Sequence, residues 1–262
     1  MAEKQIVPYG AWKSPITSSL IVAQSISLME VRLDGNDIYW LEGRPQERGR
    51  SVVVRAAADG TVSDVNKAPT NARTRVHEYG GGSWSVVGGT VYFSHFADGR
   101  LFRQDAGAPD PVALTPAPTD PEHNWRYADG VIDRGRNCWI GVREDHTDAS
   151  KPYPDNTVVT VPLGGAAPDA GRVLAAGHDF FSSPRLSPDG RSLAYLAWDH
   201  PNMPWVGTTL YLVALRDDGA PVGAPSVIAG GLSESLFQPE WAPDGSALLF
   251  VSDRTEIGRA HV

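Results

Sequence analysis

Cysteine is nearly absent: Cys138 is the one thiol in 262 residues, so no internal disulfide framework exists and a reducing compartment suits the chain. Long apolar runs are missing as well. No stretch of about 18 apolar residues is present, which excludes a membrane-spanning helix. Positive charge is in deficit, with 23 Lys and Arg against 31 Asp and Glu, a net charge of -8 and a pI near 5.3. Nucleic-acid backbones and anionic membranes reward clusters of Lys and Arg, so neither is expected as a partner. The start, "MAEKQIVPYGAWKSP", lacks the apolar core of a signal peptide, and a soluble, cytoplasmic protein is expected. No segment sustains a 3.6-residue apolar period between two caps, so helices should be few.

What is plentiful is turn chemistry and aromatic residues: 27 Gly, 21 Pro, eight Trp and eight Tyr. That mixture favours many short strands joined by tight turns. Two segments, "SPRLSPDGRSLAYLAWD" from 183 and "QPEWAPDGSALLFVSDR" from 238, superpose without a gap at a spacing of 55 residues. Pro184 falls on Pro239, Asp189 on Asp244 and Gly190 on Gly245. In each, Pro presets φ, Asp bonds back to the backbone and Gly takes the positive φ, before an apolar strand begins. Weaker copies centre on Gly35, Gly89 and Gly135, so the turn glycines are spaced 54, 46, 55 and 55 residues apart. Apolar runs at 51–57, 99–105, 156–163 and 208–215 supply a further strand to each unit. About four strands per 40 to 55 residues is the period of a β-propeller blade. A β-sandwich is the alternative, but nothing in it repeats turn chemistry at fixed spacing. The expected fold is therefore all-β, a partial β-propeller of about four blades plus the start of a fifth, over residues 1–255.

After Thr255 the pattern stops, and "EIGRAHV" begins no third strand. The codons GAG ATC GGA AGA GCA CAC GTC encode this tail and contain a string that resembles a widely used sequencing adapter. Residues 256–262 are therefore expected to be a non-native tail, and the natural chain to continue past Thr255.

Several motifs invite chemistry. "RVHEYGGGSW" (75–84) lacks the second His of H-E-x-x-H, the Gly-Lys-Ser/Thr of a phosphate loop and the closing Gly of a nucleophile elbow. It reads as a glycine-rich entry into an inner strand, where backbones pass close together. If it is functional, Arg75, His77, Glu78 and Tyr79 would line the central channel and contact substrate. "VREDHTD" (142–148) reads as a solvated loop, because contiguous acidic residues rarely converge on a metal. His178, Asp179 and Ser182 cannot form a relay, since neighbours in a strand point to opposite faces. In "WDHPNMPWVGTTLY" (198–211), His200, Met203 and Trp205 sit on a proline-bounded loop suited to packing against a partner domain or a neighbouring blade. Cys138, in an apolar run, serves as a small hydrophobe. No catalytic residue, metal ligand or cofactor site is assigned.

"VHEYGGGSW", "RYADGVID", "VREDH", "GHDFFSSPRLSPDGRSLAYLAWDHPNMPW", "TTLY" and "QPEWAPDGSALLFVSDR" together resemble the N-terminal propeller of prolyl-oligopeptidase-family serine peptidases. The likeness is greatest to the dipeptidyl- and acylaminoacyl-peptidase-like bacterial branch, and it runs from about Ser14 to Thr255. One departure is Val206, where related sequences usually carry Asp. The resemblance implies a propeller capping a C-terminal α/β-hydrolase domain that holds the nucleophilic Ser in G-x-S-x-G, then Asp and His. All three would lie beyond Thr255, so this stretch by itself would be inactive. The implied partners are that domain and a peptide substrate, and the implied activity is hydrolysis of short peptides or blocked peptide N-termini. Two other classes stay open: a non-catalytic binding or scaffolding propeller, and a hydrolase working from a metal in the channel, for which the pair His77 and Glu78 is the one hint.

Overall fold

A computed structural model describes residues 6–22, 25–120, 122–165, 167, 169–255 and 259–261. The fold is a partial β-propeller of five antiparallel sheets in chain order. The first blade holds β1 (Ser27–Asp34), β2 (Asp37–Arg44), β3 (Arg50–Ala56) and β4 (Val62–Asp64). The second holds β5 (Trp84–Val87), β6 (Thr90–Ser94), β7 (Leu101–Gln104) and β8 (Val112–Ala113). The third holds β9 (Trp125–Asp133), β10 (Cys138–Asp145), β11 (Asp155–Pro162) and β12 (Arg172–Ala175). The fourth holds β13 (Phe180–Leu186), β14 (Ser192–Trp198), β15 (Thr209–Leu215) and β16 (Pro221–Gly230). The last sheet has β17 (Leu236–Trp241), β18 (Leu248–Ser252) and β19 (Arg259–His261). Each blade's first strand touches the first strand of the next, so β1, β5, β9, β13 and β17 form the inner wall. Among the described residues the one α-helix is α1 (Ser18–Val22).

Continuous apolar strands follow from this architecture, because a middle blade is covered on both faces. In β14, Leu193, Tyr195 and Ala197 pack against the third blade, while Ala194 and Leu196 pack toward the last sheet. In β11, Val158 faces the fourth blade, and Val159 and Val161 face the second. Alternation puts successive side chains on opposite faces, so a strand with two dry faces shows no regular apolar-polar alternation. A sandwich, with one wet face, would have alternated. Burying a leucine such as Leu210, fully enclosed between the fourth and last sheets, contributes about 2 kcal/mol. The outward ends of the hairpins are tied as well. Arg136, in the turn between β9 and β10, donates to the carbonyls of Gly190, Arg216 and Asp217 and pairs with Asp133 at 2.5 Å, stapling the third blade to the fourth.

Gly35, Gly89, Gly190 and Gly245 take positive φ in the expected hairpin turns, and the four apolar runs become β3, β7, β11 and β15. Three local readings are corrected. In the third blade's turn the left-handed residue is Asn137 (φ 53°), not Gly135, because Asn tolerates that region through local hydrogen bonds. The tail does pair: Arg259, Ala260 and His261 lie antiparallel to Ser252, Val251 and Phe250, since an unpaired strand edge accepts any backbone in reach whatever its side chains. Residues 256–258 and 262 of that tail lie outside the described residues. Third, "VREDHTD" is only half loop. Val142, Arg143, Glu144 and Asp145 complete β10, and alternation carries Glu144 to the buried face with Val142.

Candidate functional site

The inner strands share a device that shapes the site. In β1, β9, β13 and β17 two residues face one on the partner strand, a β-bulge, and the first of the two has a left-handed backbone: Glu30, Asp129, Ser183 and Gln238. In β13 and β17 the second is proline, Pro184 and Pro239, placed where the ladder asks for no N–H. All four left-handed residues line one axial cavity of about 590 Å³. Asp129 is the central tie: its Oδ1 accepts the Gly82 N–H (2.6 Å), its Oδ2 accepts the Ser183 N–H (2.9 Å), and its own N–H donates to the Gly82 carbonyl (2.7 Å). Three blades thus meet at one carboxylate. A Cβ on Gly82 would stand 3.0 Å from Asp129 Oδ1, which is why the approach to β5 is glycine-rich.

Beside the axis lies a second cavity of about 620 Å³, a cup between the third and fourth blades. Its aromatic wall comes from β13 and β14, where Phe180 and Trp198 stack at 5.4 Å, with His77 edge-on to both. His200 closes one side against Phe180 and against Tyr153 of the loop after β10. Its polar floor is Glu144, only 2% exposed, whose Oε1 accepts the His77 N–H (2.5 Å) and whose Oε2 meets His146 Nε2 (3.0 Å) and lies 3.8 Å from Arg126. Arg126 also donates to the Arg75 carbonyl (3.1 Å) and to Glu78 Oε1 (2.7 Å). That bond holds the Glu78 carboxyl below the usual carboxylate range. Burial pushes the His77 imidazole down, outweighing the pull of Glu144 and Asp129, and pushes Tyr79 up. The cup therefore offers flat apolar rings on one side and fixed carboxylates on the other, a surface for an amphipathic ligand.

The sequence-expected residues are partly gathered here. His77, Glu78 and Tyr79 line the cup, and His77 and Tyr79 also line the axial cavity. Arg75 lines neither, its guanidinium lying over the Phe96 ring at 5.2 Å. From the proline-bounded loop, His200 and Met203 face the cup and Trp205 the axial cavity, with Trp205 63% exposed. His178 and Asp179 bond not to each other but crosswise, His178 to Asp199 (2.8 Å) and Asp179 to His200 (2.9 Å), which anchors the base of that loop. Glu144, Arg126 and Asp129 were missed. Glu144 could have been found by counting the period of two from Val142. The bulge residue Asp129 could have been found by aligning it with Ser183, 54 positions on.

No protein-family model matches the chain, and no curated protein does. Solved structures do. A puromycin hydrolase is 38% identical over 95% of the chain with a TM-score of 0.84, and a puromycin-hydrolyzing peptidase of Mycobacterium tuberculosis is 38% identical over 96% with a TM-score of 0.82. The chain spans 39% of the length of each. Prolyl endopeptidases share the fold at 14% identity and a TM-score of 0.55, over 88% of this chain and 33% of theirs. Over its own length, the chain is thus homologous to the β-propeller region of puromycin-hydrolysing peptidases of the prolyl-oligopeptidase family.

Proposed function

We propose that the chain is the substrate-gating propeller portion of a serine peptidase that hydrolyses short peptides, blocked peptide N-termini or aminoacyl amides of the puromycin type. The observation that carries this reading is the 38% identity maintained over 95% of the chain, while the chain covers 39% of the relative. The remainder of the relative's length leaves room for an α/β-hydrolase domain, which would supply the Ser-Asp-His relay. The propeller would then contribute the cup, with His77, Glu78 and Tyr79 facing substrate. The loop bearing His200, Met203 and Trp205, apolar and exposed at Trp205, is the element suited to meet that domain. A reducing, cytoplasmic setting fits the single free thiol.

The test is to sequence the source DNA onward from the codon of Thr255 and express the complete reading frame. The expected result is further blades followed by G-x-S-x-G, and a protein that releases a chromophore from aminoacyl anilides and is silenced by a serine-directed fluorophosphonate. A frame ending without that motif and a product without hydrolysis would leave a binding propeller as the better reading, and hydrolysis that survives the fluorophosphonate but stops with a chelator would favour a metal-dependent hydrolase.

A further inference from the structure

We propose that the turn at residues 77–79 is a partition between the cup and the axial cavity that sets the length of peptide the propeller face receives, with Glu144 as the positioning residue that holds it. The inference rests on the peptidase reading above. The two cavities, about 620 and 590 Å³, share His77, Tyr79, Trp198 and Pro204. Two of these precede the second blade and two come from the fourth, so the shared residues form a wall built from opposite sides. Tyr79 is its free leaf: it is 62% exposed, and its ring meets His77 at 5.6 Å. A large ring held in the open between two cavities contributes little to packing and much to their separation.

The turn does not stand by itself. His77 (φ 56°) and Glu78 (φ 63°) are consecutive non-glycine residues in the left-handed region, which persists only when the surroundings impose it. The surroundings are Glu144, accepting the His77 N–H, and Arg126, holding the Arg75 carbonyl and the Glu78 carboxylate. A carboxylate buried at the end of β10 is costly unless paired, and this one is spent on the backbone of the wall. Each cavity is of the size that encloses a small ligand. With the wall removed they become one continuous trough.

The test is to measure kcat/KM of the complete enzyme on an alanine series from dipeptide to octapeptide. Tyr79→Ala is expected to shift preference toward the octapeptide about tenfold, the scale of discrimination that apolar pocket walls provide. Tyr79→Phe keeps the ring and should keep the wild-type profile. Glu144→Ala should reproduce the shift by loosening the turn, and Glu144→Gln, which retains an oxygen for the His77 N–H, should show less of it. An unchanged length profile in both alanine variants overturns the partition. Hydrogen exchange supplies a readout without turnover: amides 77–80 should exchange faster in Glu144→Ala than in Glu144→Gln, and equal rates overturn the role of Glu144. If the wild-type enzyme cleaves neither these peptides nor their N-acetylated forms nor aminoacyl anilides, the peptidase reading fails; if it cleaves the anilides alone, the length role is overturned; in either case exchange still decides whether Glu144 holds the turn.

Discussion

His77 is where burial and charge disagree at a single side chain. Its imidazole is pressed between Phe180, Trp198 and Tyr79, and burial holds its pKa below the ordinary 6.5 in spite of Glu144 and Asp129. The unfolded chain takes up this proton near 6.5 and the folded chain only at lower pH, so the unfolded state binds more protons in between. Stability from this group is complete above 6.5 and is lost as pH falls toward the folded value. His77→Gln should therefore lose less Tm than the wild type between about pH 7.5 and about pH 5, read by thermal melts at matched ionic strength. The neighbouring residues show what one sequence can and cannot disclose. "RVHEYGGGSW" stood out because His, Glu and Tyr adjoin a glycine run. Glu144 did not, because an acidic residue among acidic neighbours looks solvated until the strand's period is extended through it.

At the scale of the element, the inner-strand bulge and the hairpin turn carry the architecture. Removing the Asp129 carboxylate takes from the Gly82 and Ser183 amides two hydrogen bonds to a charged acceptor, each worth about 1.5–3 kcal/mol and less where the cavity admits water. Asp129→Ala should lower stability by about 2–4 kcal/mol, read from the urea midpoint, and Asp129→Asn, which keeps one acceptor, by about half as much. Arg136→Ala, which frees three carbonyls in the turns of the fourth blade and leaves the buried Asp133 carboxylate without its guanidinium, should cost about 1–3 kcal/mol by the same measurement. The turns were legible because Asp-Gly chemistry is local, and the runs that became β3, β11 and β15 were legible because strands covered on both faces keep apolar residues at successive positions. Two things were not legible. The bulges arise from non-glycine residues at positive φ, which residue type does not announce and only the alignment of one blade on another would have suggested. The pairing of β19 along the edge of β18 is the other, since no strand pattern runs through those residues in the sequence.

At the scale of the whole molecule, the two ends of the arc differ from its middle. On β1, Leu28, Val31 and Leu33 are exposed, and at the other end Val227 of β16, Phe237 of β17 and Leu249 and Val251 of β18 are exposed as well. In the interior blades the matching faces are buried against a neighbour. Contiguous apolar faces of this kind drive association. The 262-residue chain should sediment as concentration-dependent oligomers, and the pair Leu33→Lys with Val227→Lys should shift it toward monomer without lowering Tm. Between those ends the inner strands repeat one bulge whose first residue is Glu30, Asp129, Ser183 or Gln238 according to the blade. The backbone turn is the same in each, but the side chain it presents is used differently: Asp129 is a keystone between blades, whereas Ser183 and Gln238 face the axial cavity, so the letter there is open to rewriting at some blades and fixed at another.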